Sequence, residues 1–174
     1  MPVLLKQLFH LLIFMAYRIG LGTDYHQLVS GRKFWLGGVE IPHTKGALGH
    51  SDADVLLHAI CDALLGALNL GDIGIHFPDT DKNLKDIDSK ILLKKTFSLI
   101  REKDYRVVNL DTVICLEKPK IMVHAPGMRT VIAGILEISE DDISIKATTT
   151  EKLGFIGREE GIMAQAVVLL KKPD

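Results

Sequence analysis

The chain has 174 residues, 47% of them hydrophobic and 25% charged, an ordinary composition for a globular domain with its own core. Its formal net charge of -1 supplies no long-range field for nucleic acid or an anionic membrane, so any phosphate chemistry must come from local groups. Cys61 and Cys115 lie in separate apolar patterns without metal-type spacing, which argues against a disulfide framework and for a reducing, cytoplasmic setting.

The first 15 residues, "MPVLLKQLFHLLIFM", are apolar but shorter than the about 20 that a membrane helix needs. Lys6 is their one positive charge and no A-x-A site follows, which speaks against a signal peptide. The expectation is that "MAYRIG" from Met15 is the natural start, that residues 1–15 are a leader or extension, and that residues 16–174 form one domain. "AYRIGLGTDYH" (16–26) predicts a strand ending near a loop, and "KFWLGGVEIP" (33–42) predicts strands or a hairpin broken at Gly37-Gly38 and closed by Pro42. A helix is expected over 51–69, stopped by Gly71, and then a long turn-rich loop over 71–88. A second helix over 89–103 follows, with Asp88 or Ser89 as its cap. A strand over 105–117 and a third helix over 125–138, with Pro126 in its first turn, come next. Strands over 142–150 and 161–172 close the chain, and no internal repeat appears. Helices interspersed with strands predict an α/β (α+β) sandwich, a mixed and mainly four-stranded sheet with helices on one face.

The stretch "HSDADVLLHAICDALLG" (50–66) has the apolar spacing of a core helix but is crowded with ionisable groups. At about 100° per residue, Val55, Leu56, Leu57, Ala59, Ile60, Ala63 and Leu64 fall on one broad arc. His50, Ser51, Asp54, His58, Cys61 and Asp62 fall on the narrower remainder. Asp52 is the exception, and is assigned to the first turn, where a carboxylate complements the helix dipole. His58 and Asp62, four residues apart, can meet, as a carboxylate meets a metal-binding histidine from behind. A solvated face with a helix ion pair explains the same pattern, and the stretch alone favours that plainer reading.

Three further segments bear on the choice. In "GTDYH", Asp24 and His26 point the same way if the chain is extended. With His58 they make an Asp-His-His set, three N and O donors with one position left open, as in catalytic zinc, where a phosphate oxygen could be polarised. D-x-H is common by chance, and a surface turn competes with it. In "KATTTEKLGFIGREEG" (146–161), Thr148, Thr149 and Thr150 offer hydroxyls and Lys152 and Arg158 offer charge. Gly154 and Gly157 allow a close backbone approach, and Glu151 could hold magnesium. A threonine-rich β-turn is equally open. "FPDTD" (77–81) places Asp79 and Asp81 in what is more simply a Pro-Asp turn.

Taken together, "RIGLGTDYH", "HSDADVLLHA", "GDIG" with "FPDTD", "EKPK" and "ATTTEKLGF" resemble, in order, the 2-C-methyl-D-erythritol 2,4-cyclodiphosphate synthase family of the non-mevalonate isoprenoid pathway. The resemblance runs from about Tyr17 to Lys171, leaving out the leader. It implies a lyase-type intramolecular phosphoryl transfer that turns 4-diphosphocytidyl-2-C-methyl-D-erythritol 2-phosphate into the cyclic diphosphate and CMP. It implies zinc on Asp24, His26 and His58, with Asp62 behind His58, and magnesium or manganese on Glu151. His50 and Thr149 match the positions that stabilise the transition state. His50 and Ser51 match positions that contact the substrate phosphates and the methylerythritol part, and Asp72, Ile73 and Gly74, with Phe77, Pro78, Asp79, Thr80 and Asp81, match those that hold the methylerythritol hydroxyls. Leu116, Glu117, Lys118, Pro119, Lys120, Ile121 and Met122 match the cytidine pocket. Thr148, Thr149, Thr150 and Glu151 match the nucleotide-phosphate positions, and Tyr25, Phe155 and Arg158 are further binding positions. The family assembles as a homotrimer around the open sheet face, with sites between subunits and, in some members, an isoprenoid diphosphate in an axial cavity. A non-catalytic metal or isoprenoid-diphosphate binder on the same fold is the alternative. A zinc phosphohydrolase is weaker, because no separate group to activate water is evident.

Overall fold

The computed structural model describes residues 17–81 and 84–173; the expected leader, with the start at Met15, lies outside them. The elements in chain order are β1 (Tyr17–Ser30), β2 (Phe34–Leu36), β3 (Val39–Ile41), β4 (Lys45–Leu48), α1 (Val55–Ala67), α2 (Ile73–His76), α3 (Ser89–Glu102), β5 (Arg106–Cys115), α4 (Ala125–Leu136), β6 (Ile143–Thr148), α5 (Gly154–Gly157) and β7 (Gly161–Lys171).

One mixed sheet of five strands, in the order β4-β1-β7-β5-β6, carries the fold, and β2 and β3 form a separate hairpin. Only the β5–β6 pair is parallel. The strand beyond the expected four is β4, "KGAL", which lacks the β-branched and aromatic residues that mark a strand. Its pairing with Gln27–Ser30 also explains why β1 runs past residue 26, so that Asp24 and His26 sit within the strand instead of at its end. Along β5, β6 and β7 buried residues alternate with exposed ones, so the helices cover one face.

β1 inverts the usual phase. Its inward positions carry Gly20, Gly22, Asp24 and His26, while Ile19 and Leu21 point outward, 71% and 63% exposed. The glycines let α1 lie directly on the strand. A Cβ on Gly20 would stand 1.8 Å from the Ala63 carbonyl oxygen, and one on Gly22 would stand 1.9 Å from that of Ala59. Across the strand pair, Gly22 and Asp24 face Ala166 and Ala164, which extends this floor of small residues.

α1 begins at Val55, four residues later than expected. Ser51 and Asp52 instead accept hydrogen bonds from the nearby N–H groups of Ala53 and Asp54, and Ala53 is left-handed at φ 57°. Such local side-chain turns compete with a helix. His50, Ser51 and Asp52 therefore precede the helix, and the helical arc drawn over them does not apply. Asp54 and Cys61, expected on the ionisable arc, are fully buried. Burial pushes the Cys61 thiol up to about 12, so it is core and not a nucleophile.

Asp54 caps α1 by accepting the Leu57 N–H at 3.1 Å, and it also takes the Gly37 and Gly38 N–H groups at 2.9 and 2.7 Å. One carboxylate thus ties the β2–β3 turn, whose two glycines have φ 60° and 78°, to the helix start. Asp54→Ala is expected to lower unfolding stability by about 3 kcal/mol, combining a lost cap with orphaned buried donors. Urea unfolding reads this, and a loss under about 1 kcal/mol would contradict the assignment.

The other two expected helices are found, and the short α5 (Gly154–Gly157) was not expected. Asp88 caps α3 by accepting the Lys90 N–H, and Pro126 lies in the first turn of α4. Among the described residues of the loop over 71–88, Ile73–His76 form an unexpected helical turn, α2, capped by Asp72. No described helix is long and apolar enough to cross a membrane.

Candidate functional site

Just past the glycines of β1, Asp24 and His26 rise from the same face toward the first turns of α1. His58 comes down to meet them. The Asp24 Oδ2 lies 3.0 Å from His26 Nε2 and 3.0 Å from His58 Nδ1, and the two nitrogens are 3.1 Å apart. These atoms form the metal-ligand cluster found among the described residues. The triangle fits one shared cation: a tetrahedral zinc with bonds of about 2.0–2.1 Å has edges of about 3.3 Å. Two imidazoles and a carboxylate suit a divalent first-row ion, and three protein ligands leave a position open.

The charges agree with that donor set. Burial opposes the ionised Asp24, but hydrogen bonds and charge from His26 and His58 outweigh it and hold its carboxyl well below the usual range. Burial likewise opposes charge on His58, yet Asp24, with Asp54 and Asp52 further off, pushes the ring upward. The pocket is built to hold positive charge between these groups.

Asp62 does not stand behind His58. Its Oδ1 accepts the Ile73 N–H at 2.7 Å and so fixes the start of α2. The helix presents Asp62 one turn beyond His58, level with the loop after Leu70, where a bare N–H awaits it. The far side of His58 faces two hydroxyls instead, with Nε2 3.2 Å from Ser51 Oγ and 2.9 Å from Ser89 Oγ. Ser89 was expected only as a helix cap; nothing local in "DIDSK" points to His58.

A cavity of about 240 Å³ opens beside the cluster, lined by His26, His50, Ser51, His58, Ile73, Phe77 and Asp79, with Leu84, Ile87 and Leu92 closing it. Three of the sequence segments singled out thus share one wall. His50 is exposed, its Nε2 3.4 Å from the Asp81 carbonyl. Gly74, Pro78 and Thr80 are exposed on the same loop.

The remaining candidates gather elsewhere. Glu117 Oε1 accepts the N–H groups of Thr150 and Lys152, at 3.0 and 3.2 Å, and is 3.3 Å from Thr150 Oγ1. Its carboxylate thereby holds the loop in which Glu151 and Lys152 have φ 53° and 66°. Thr149 donates to Glu151, and Leu116 N–H donates to the Thr148 carbonyl. Lys118 pairs with Glu159, and the Lys118–Pro119 bond is cis. Lys120 and Met122 are exposed beside buried Ile121. Phe155 lies over Tyr25, ring centres 6.2 Å apart, and Arg158 forks onto Glu160.

Phe155 reaches β1 through Tyr25, but Thr148 stands at the far side of the sheet from the cation cluster. Tyr25, Met163, Cys115 and Thr148 stand in register across β1, β7, β5 and β6. Three strand spacings of about 4.8 Å therefore put Thr148 about 14 Å from Tyr25.

The YgbB family profile matches residues 17–171. A 2-C-methyl-D-erythritol 2,4-cyclodiphosphate synthase of Bacteroides thetaiotaomicron is 63% identical over 158 residues, covering 91% of this chain and 99% of that protein. Among solved structures, a 2C-methyl-D-erythritol-2,4-cyclodiphosphate synthase with CDP bound superposes with a TM-score of 0.81 at 37% identity, over 88% of this chain and 99% of the other. The bifunctional IspDF of Campylobacter jejuni gives a TM-score of 0.88 at 42% identity, over 92% of this chain but 43% of that longer one, so the chain spans less than half of it.

Proposed function

Because the chain belongs to the YgbB family, we propose that it converts 4-diphosphocytidyl-2-C-methyl-D-erythritol 2-phosphate to 2-C-methyl-D-erythritol 2,4-cyclodiphosphate and CMP, in isoprenoid precursor synthesis. The observation that carries this reading is that the Asp24-His26-His58 cluster reaches, through His26 and His58, the cavity lined by His50, Ser51, Phe77 and Asp79.

The reaction is a phosphorus–oxygen lyase step within one molecule. An oxygen of the 2-phosphate attacks the β-phosphorus. The bond from that phosphorus to the α,β-bridging oxygen breaks, and that oxygen leaves on CMP. No water enters, and no nucleophilic side chain is needed. The protein has to bend the substrate into line and neutralise its charge. Asp24, His26 and His58 would hold a divalent cation, zinc in our reading, which would supply Lewis-acid polarisation to the diphosphate. Glu151 would hold a magnesium or manganese ion, which would neutralise diphosphate charge. His50 and Thr149 stabilise the charge that develops during transfer. Ser51, Asp72, Ile73, Gly74 and residues 77–81 orient the methylerythritol part. Residues 116–122 take the cytidine, residues 148–151 its phosphates, and Tyr25, Phe155 and Arg158 border the site.

The homotrimer belongs to the same proposal. Thr148 stands too far from the cation cluster for one diphosphate to bridge them within a chain, but a neighbouring copy can bring its threonine loop to this chain's cluster. The outward Ile19, Leu21 and Tyr25 of β1 give such copies an apolar face to share, and an isoprenoid diphosphate would lie on the axis between them. We place the protein in the cytoplasm, with residues 16–174 as one domain.

Incubation with the cytidyl substrate, zinc and magnesium tests the activity. CMP and a cyclic diphosphate are expected in equal amounts, read by chromatography and phosphorus NMR. A linear phosphate product, or metal-loaded protein that releases no CMP, would overturn it.

A further inference from the structure

We infer that Ser89 and Asp52 are positioning residues that force the proton of His58 onto Nε2, leaving Nδ1 bare toward Asp24 and His26. The inference rests on the metal reading of the cluster and deepens it.

The argument follows hydrogens from the outside inward. Asp52 can only accept here. Its Oδ2 takes the Ser89 N–H at 3.0 Å, and its Oδ1 takes the Asp54 N–H at 3.2 Å. The Ser89 hydroxyl, also bonded to Asp52 Oδ1, must therefore give its one proton to Asp52. What Ser89 Oγ then offers His58 Nε2, at 2.9 Å, is a lone pair. Nε2 must carry the hydrogen, and a neutral ring has no second one for Nδ1.

Ser51 could not impose this alone. Its Oγ accepts the Ala53 N–H at 3.0 Å and stands 3.2 Å from Nε2, with its own proton free to point at the ring. Without Ser89, a second pattern satisfies every group: Ser51 donates to Nε2, and an Nδ1–H donates to Asp24 Oδ2, which is 3.0 Å away. That pattern has no lone pair to give a cation. Ser89 thus decides between two well-bonded tautomers, of which only one can ligate.

The surrounding backbone is arranged to keep the relay in place. Asp52 N–H donates to the Ile87 carbonyl at 3.1 Å, and Asp86 N–H donates to the His50 carbonyl at 2.8 Å. These bonds lash the segment before α1 to the segment before α3. Ser89 is fully buried, so water does not compete for its lone pair.

Nitrogen-15 NMR of histidine in the metal-free protein, with the ring titrated to its neutral form, reads the tautomer directly. The wild type is expected to show His58 protonated on Nε2. Ser89→Ala, which keeps the backbone bond to Asp52, should show a mixture and bind zinc about 10–100-fold more weakly by chelator competition. Ser89→Thr, which keeps the hydroxyl, should recover most of that affinity. A wild-type ring protonated on Nδ1 would overturn the inference without any variant. So would a folded Ser89→Ala with unchanged tautomer and unchanged zinc affinity. A wild type with the Nε2–H tautomer but no affinity for divalent metal would sink the metal reading and leave the positioning role intact.

Discussion

Replacing His58 with alanine is expected to strip the cation from the cluster and lower kcat/KM at least about a thousandfold. A polarising cation contributes several kcal/mol to the transition state, and about 4 kcal/mol corresponds to a factor of a thousand. Asp24 and His26 remain 3.0 Å apart in the variant, but two ligands do not close a site that needs three. The fold should survive, because the ring sits at a cavity wall and α1 is held by its apolar side and by Asp54. Metal content per chain and far-UV circular dichroism separate the effects. Full zinc occupancy in the variant would refute the ligand role of His58.

Gly22→Ala is expected to do more damage than its single methyl suggests. The new carbon would stand 1.9 Å from the Ala59 carbonyl oxygen and 2.6 Å from the Ala63 nitrogen. Both are helix backbone, so no side chain can rotate away, and α1 must lift from β1. Overpacking of ordinary side chains costs about 1–3 kcal/mol, and a backbone collision should cost about 3 kcal/mol or more. The lift also carries His58, next to Ala59 in the chain, away from Asp24, so zinc affinity should fall together with stability. Gly134→Ala on α4 is the contrasting case, since nothing lies within 4 Å of its new carbon. There, helix propensity predicts a gain of up to about 1 kcal/mol. Urea unfolding of the two variants reads the difference, and similar midpoints would overturn the close strand–helix seam.

What could be read from the sequence was whatever depended on neighbours along the chain. The periodicities of α3, α4, β5 and β7 and the Gly37-Gly38 hairpin gave the right elements, within a few residues at their ends. Asp24 and His26 were correctly placed on one strand face, because alternation is a local rule. The start of α1 was misread because apolar spacing says nothing of Ala53 adopting a left-handed backbone. β4 was missed because its strand character comes from its partner β1. Asp62 was assigned to His58 on helical spacing, and only the position of α2 shows where that carboxylate goes. The link from Asp52 to Ser89 spans 37 residues without a motif, so folding alone reveals it. The family resemblance bridged part of this gap, since "HSDADVLLHA" and "FPDTD" could be assigned to one pocket before any contact between them was visible.

The inverted phase of β1 bears on how freely this chain can change. From Gly20 to His26, inward residues either set the distance to α1 or reach the cation cluster. The outward Leu21 and Tyr25 are exposed in a lone chain, yet they are as large and apolar as core residues. Exposure is the usual guide to where a protein tolerates substitution. In the proposed trimer it would point the wrong way along this strand, because a sequence read on both sides has little room to drift.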